Sequence, residues 1–113
     1  MIEFTLREYL RTRIPVPVYL ELPKEHGPSY VLIEKTGSSR ENRINHATFA
    51  VQSISTTMAD AILLNETVKA AMEDMTALPE ISRVDLNSDY NFTDTEKKIP
   101  RYQAVYDLVF LIL

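Results

Sequence analysis

The stretch Asp85-Leu-Asn-Ser-Asp-Tyr-Asn-Phe-Thr-Asp-Thr-Glu96, DLNSDYNFTDTE, decides how this chain folds. Oxygen-bearing side chains stand at its first, third, fifth, seventh, ninth and twelfth places, the ligand spacing of a calcium loop held between two helices. Such a loop bends sharply at its sixth place, which Gly normally fills. Here that place is Tyr90, a bulky residue poorly suited to positive φ. Upstream, Val84, Leu86, Tyr90 and Phe92 alternate with Arg83, Asp85, Asn87, Asp89 and Asn91. A period of two marks a strand with one wet face. Pro100 obstructs any helix soon after Glu96. The stretch therefore reads as the outgoing arm of a β-hairpin. Asp89, Asp94 and Glu96 remain at its tip as a weak cation site at most.

The return arm is residues 101–112. Tyr102, Ala104, Tyr106, Leu108, Phe110 and Ile112 alternate with Arg101, Gln103, Val105, Asp107, Val109 and Leu111. The second set turns apolar toward the C-terminus, so the strand is expected to end deep in a sheet. TDTEKKIP (93–100) is the charged loop between the arms.

Working back toward the N-terminus, residues 57–75 form the strongest helix pattern. Ala61, Leu64, Val68, Ala71, Met72 and Met75 make one stripe, with Asp60, Glu66, Lys69, Glu73 and Asp74 elsewhere. Thr57 and Asp60 give a capping start, Lys69 and Glu73 are spaced to pair, and Pro79 follows the end. The methionines read as core filler. Before the helix, Ala47–Ser55 is a strand, residues 37–46 (GSSRENRINH) a polar loop, and Tyr30–Thr36 a strand with an apolar middle. KEHGP (24–28) is a turn and residues 16–22 an extended edge, since Pro17 cannot donate to a ladder. Residues 3–13 make a short helix stopped by Pro15 and Pro17. The expected fold is α+β, one domain over residues 1–113: a mostly antiparallel sheet, a long helix and a short N-terminal helix packed on it, and a long closing hairpin.

With 113 residues the chain suits one domain burying roughly two-thirds of its extended surface. Its formal charge of −4 argues against a dedicated nucleic-acid binder and against an anionic membrane surface as partner. The absence of cysteine excludes disulfides, thiol catalysis and Cys-ligated zinc, and suits a reducing cytoplasm. MIEFTLREYLRTR has no apolar core of a signal peptide, and the run Leu108–Leu113 is too short to span a bilayer. His26 and His46 lack a metal-spaced partner, and Ser38 and Ser39 lack a nucleophile elbow. Two glycines make no phosphate cradle, and Arg40, Glu41 and His46 read as a solvated loop rather than an acid–base set. Neither a catalytic residue, a metal ligand nor a cofactor site is expected.

Taken in order, the helix before IPVPVYLELP, the strand YVLIEKTG, the unit ATFAVQSISTTMADAILLNETVKAAMEDM and the closing LPEISRVDLNSDYNFTDTEKKIPRYQAVYDLVFLIL resemble one family. It is the tail-terminator, or tail-completion, family of long-tailed bacteriophages, also called head–tail joining proteins. RYQAVYDLVF, opening at Arg101 and Tyr102, is the most telling segment. Ser38 stands where the family often has a second Gly. The resemblance covers nearly the whole chain and implies a structural protein of the virion tail or neck, assembled in the host bacterial cytoplasm. It implies a ring, typically six-fold, on the head-proximal end of the tail tube. That ring stops tube polymerisation and docks to the head connector or stopper, and genome DNA passes through it unread. Acidic subunits suit such a passage. The implied partners are further copies of the chain, the tail tube protein and the connector protein. Arg40 and Arg43 in segment 37–46, Asp89, Asp94 and Glu96 in segment 87–98, and Arg101 are the expected interface residues. Arg-to-carboxylate pairing across a subunit boundary would set register. The competing readings are a monomeric module binding a peptide or Ca2+ at 85–96, and a small enzyme.

Overall fold

In the computed structural model, which describes residues 1–111, the chain runs α1 (Ile2–Arg11), β1 (Val18–Tyr19), β2 (Tyr30–Glu41), β3 (Ile44–Ile54), α2 (Met58–Glu73), a 3-10 turn (Met75–Ala77), β4 (Ile81–Asn91) and β5 (Arg101–Leu111). The strands form one sheet in the order β1-β2-β3-β5-β4. β1 lies parallel to β2, and every other neighbour is antiparallel. The α+β architecture and the closing hairpin are those expected from the sequence.

β3 organises the sheet. Ala47, Phe49 and Val51 point to one face, where Leu6 and Leu10 of α1, Leu64, Val68 and Met72 of α2, and Met75 close over them. Ala104, Tyr106 and Leu108 of β5 continue that face. Phe49 is fully buried at its centre. All the helical elements of the described residues pack on this side, so among them the other face of the sheet carries no helix. α2 starts where its cap dictates: the Thr57 hydroxyl accepts from the Asp60 amide at 3.1 Å. The Tyr9 hydroxyl donates to the Ala71 carbonyl at 2.6 Å and ties α1 to α2.

Four expectations change. The extended stretch 16–22 pairs only at Val18 and Tyr19, because the prolines on either side of Val16 limit its ladder. The polar stretch 37–46 is not a loop. β2 and β3 run through it and reverse in two residues, Asn42 and Arg43, both at positive φ (51° and 64°). Its β3 half is bonded on both flanks, to β2 on one side and β5 on the other, all the way to Ile44, and its β2 half is bonded to β3. Lys69 does not pair with Glu73. It reaches Glu66 at 2.7 Å and crosses to Asp89 of β4 at 2.8 Å. Finally, Val84, Leu86, Tyr90 and Phe92 do not share a face. A bulge at Asn87 shifts the register between Leu86 and Ser88, leaving Leu86 on the helix side and turning Tyr90 to the bare side. Ile112, placed at the end of the last strand by the alternation, lies outside the described residues.

Candidate assembly surface

The end of the β2–β3 hairpin is the first projection: the β2 side chains beyond Ile33 are exposed, as are Ile44 and His46 of β3, while Asn45 and Ala47 stay buried. At its end the backbone of Asn42-Arg43 takes the two left-handed conformations of a tight hairpin turn. Asn tolerates that region; Arg does so under strain. Arg40 donates from Nε to Asn45 Oδ1 across the hairpin at 3.0 Å, which fixes its stem and leaves the end of the guanidinium outward. Arg43 makes no ion pair among the described residues.

The second projection, 92–100, closes the β4–β5 hairpin at the opposite end of the sheet. Phe92 donates its amide to the Arg101 carbonyl at 2.8 Å, and the Thr93 hydroxyl accepts from the Arg101 amide at 3.0 Å. Asp94 is spent on its own loop. Its Oδ1 accepts from the Glu96 amide at 2.7 Å and the Lys97 amide at 3.4 Å, and these bonds hold its carboxyl below the ordinary range. Glu96 is exposed and has no ion pair among the described residues. Asp89 belongs to neither projection. Lys69 and the Asn65 amide group (3.0 Å) clamp it against α2, so its carboxyl lies below the usual range while the Lys69 ammonium lies well above its own.

The six candidates are therefore dispersed. Arg40 and Arg43 stand at one end of the sheet, Asp94, Glu96 and Arg101 at the other, and Asp89 between β4 and α2. The oxygens of DLNSDYNFTDTE diverge as well. Asp85 pairs with Arg83 at 2.6 Å, Asn87 donates to Asp107 at 3.1 Å, and Asp89 points to the opposite face. Among the described residues no three His, Asp or Glu side chains come together around a common point. No helix among them is long and apolar enough to cross a membrane.

Two features escaped the sequence reading. On the bare face, Arg101 donates to Gln52 (3.3 Å), Gln52 to Gln103 (2.9 Å) and Gln103 to the Tyr90 hydroxyl (2.6 Å). This chain crosses three strands and is legible only once β3, β5 and β4 are known to be neighbours. The other is a cleft of about 280 Å³ between α2 and β4, lined by Lys69, Met72, Glu73, Val84, Leu86 and Tyr106. Burial there pushes the Tyr106 hydroxyl up to about 12. Leu86, 46% exposed, forms its outer lip.

Compared with known proteins, the chain matches no family model and no curated protein.

Proposed function

We propose that the chain is a structural tail-completion protein of a long-tailed phage or prophage, which assembles as a ring at the head-proximal end of the tail tube. The observation that carries this reading is the placement of the two projections. They leave one rigid sheet from opposite ends and differ in make. One is a two-residue turn presenting Arg40 and Arg43; the other is a self-bonded loop presenting Glu96, Lys97 and Lys98. A ring with its strands along the axis would carry one projection on each rim. Two unlike rims are what a joining ring requires, because one must match the tube and the other the connector. Loops set on a rigid scaffold are the usual carriers of recognition. In this arrangement Arg40 and Arg43 address a partner protein rather than the Asp94 and Glu96 of a neighbour, which lie at the far rim.

The test is tube capping. Tubes polymerised from the tail tube protein of the neighbouring genes should shorten and carry density at one end when the chain is added, as seen by electron microscopy. The double variant R40E/R43E should keep its fold by circular dichroism and lose docking at one rim. If tubes grow unchanged in the presence of the native chain, the reading is wrong.

A further inference from the structure

The sheet leaves two edges uncovered, and they correspond in position and length. β1 reaches only Val31 and Leu32, so among the described residues no strand covers the outer side of β2 from Ile33 to Glu41, where Lys35 is tied to Glu3 of α1 at 3.0 Å. Beyond β5 the sheet ends at β4, whose outer side is open along Ile81–Asn91 among the described residues. The rungs of the sheet put the two stretches at one level. Ile33 shares a rung with Val51, Ala104 and Asp89, and Arg40 shares one with Asn45, Phe110 and Ile81.

Their lengths agree despite irregularities. Between the rung Glu34–Ala50–Val105–Ser88 and the rung Gly37–Thr48–Asp107–Asp85, each central strand advances through three residues: Ala50, Phe49, Thr48 and Val105, Tyr106, Asp107. Each edge uses four: Glu34, Lys35, Thr36, Gly37 on β2 and Ser88, Asn87, Leu86, Asp85 on β4. Bulges on an edge strand ordinarily discourage pairing with another chain. Here both edges carry one at nearly the same level, and the second bulge of β4, between Ile81 and Arg83, lies outside the matched stretch, so residues 34–39 and 83–88 keep step with each other although neither keeps step with the strand inside it. The directions also agree. β2 is antiparallel to β3, β3 to β5 and β5 to β4, so β2 and β4 run oppositely. A second copy displaced sideways in the plane of the sheet brings its β2 antiparallel to this β4, the more stable kind of pairing. Leu86 stands exposed in the middle of that edge, beside the α2 cleft, where the incoming strand would cover it.

We propose that β4 of one subunit pairs with β2 of the next, residues 83–88 against 34–39, so that the sheet continues from copy to copy. This rests on the ring reading above and names its seam. The contact is head-to-tail, using two different patches, and can therefore propagate around a ring.

Cysteine cross-linking tests the seam without background, because the chain contains no cysteine. Three double variants place a cysteine on each edge at one level and on the bare face: Ser39→Cys with Arg83→Cys, Gly37→Cys with Asp85→Cys, and Glu34→Cys with Ser88→Cys. Within one subunit each pair is three strand spacings apart, about 14 Å, beyond disulfide reach. Facing residues of an antiparallel pair lie within reach, with Cβ atoms about 5 Å apart. On mild oxidation of the concentrated chain, at least one double variant should give a ladder of covalent oligomers, while the six single variants stay monomeric on a denaturing gel. Sedimentation of the native chain is measured alongside. A closed oligomer with no ladder from any pair overturns the seam and leaves the ring standing. Efficient dimers from a single variant overturn it too, since they report a two-fold contact. A chain that stays monomeric to its solubility limit and yields no ladder overturns both the seam and self-assembly in solution.

Discussion

The β2–β3 hairpin turns in two residues, Asn42 and Arg43, and the β4–β5 hairpin in nine, residues 92–100. The first carries almost no apolar side chain near its turn, yet it is strand to the end. Its inner strand is bonded on both sides, so ladder hydrogen bonds rather than burial hold it. The second carries Val84, Leu86, Tyr90 and Phe92, yet β4 is bulged, half exposed and bonded on one side only. Besides its ladder to β5 and the buried Ile81, β4 is held by a side-chain tie, Lys69 to Asp89, reaching down from α2. Pairing on both flanks can thus make a strand of polar residues, while an apolar alternation on an edge still needs an anchor.

Phe49→Ala gives the largest expected effect. It removes the buried centre of the strand both hairpins depend on and should destabilise by about 3–5 kcal/mol. Chemical denaturation should show both hairpins failing in one transition. Two separated transitions would break the view that one core serves both.

Lys69→Met separates the hairpins. It leaves Asp89 half-buried with only Asn65, and should cost about 1–2 kcal/mol, with faster amide exchange in β4 and no change near residues 38–46. The Asp89 carboxyl is lowered from its ordinary 3.8, so the pair stabilises fully above that pH and loses its effect as pH falls through the folded value. The Lys69 ammonium is raised from 10.5, so its contribution is complete below that pH and fades only above it. The native chain should therefore lose stability below about pH 3.8 more steeply than the variant. Matching acid limbs in the two chains would assign the anchoring of β4 to something else.

Arg43→Gly bears on the other hairpin and gives the smallest effect. Gly accepts the left-handed conformation freely, and the relief should exceed the added freedom of the unfolded chain by roughly 0.5 kcal/mol. The midpoint of unfolding should rise slightly, and under the proposed function tube capping should weaken. A loss of stability would mean that the Arg43 side chain, not the turn backbone, holds the hairpin end.

These differences also explain what could be read from the residues. α2 was legible because its stripe and its Thr57 cap are local, and β5 because its alternation is long. Residues 37–46 misled because polar side chains carry no period, and the strand that flanks Ile44–His46 on their second side lies more than fifty residues downstream. The candidate surface was legible only in part. Arg40 and Arg43 were correctly seen as lying outside the core, but Asp89 looked equally free until α2 was placed beside β4.

From the sequence by itself came the α+β class, the cap and buried stripe of α2, and the alternation that makes Asp85–Asn91 a hairpin arm rather than a metal loop. Each follows from side-chain period and conformational preference within a few neighbours. Only the tertiary structure decided the strand order β1-β2-β3-β5-β4, the Lys69–Asp89 tie, the Arg101–Gln52–Gln103–Tyr90 chain and the matching open edges. Those depend on which distant segments share a hydrogen-bond ladder, and a ladder leaves no period in either strand alone.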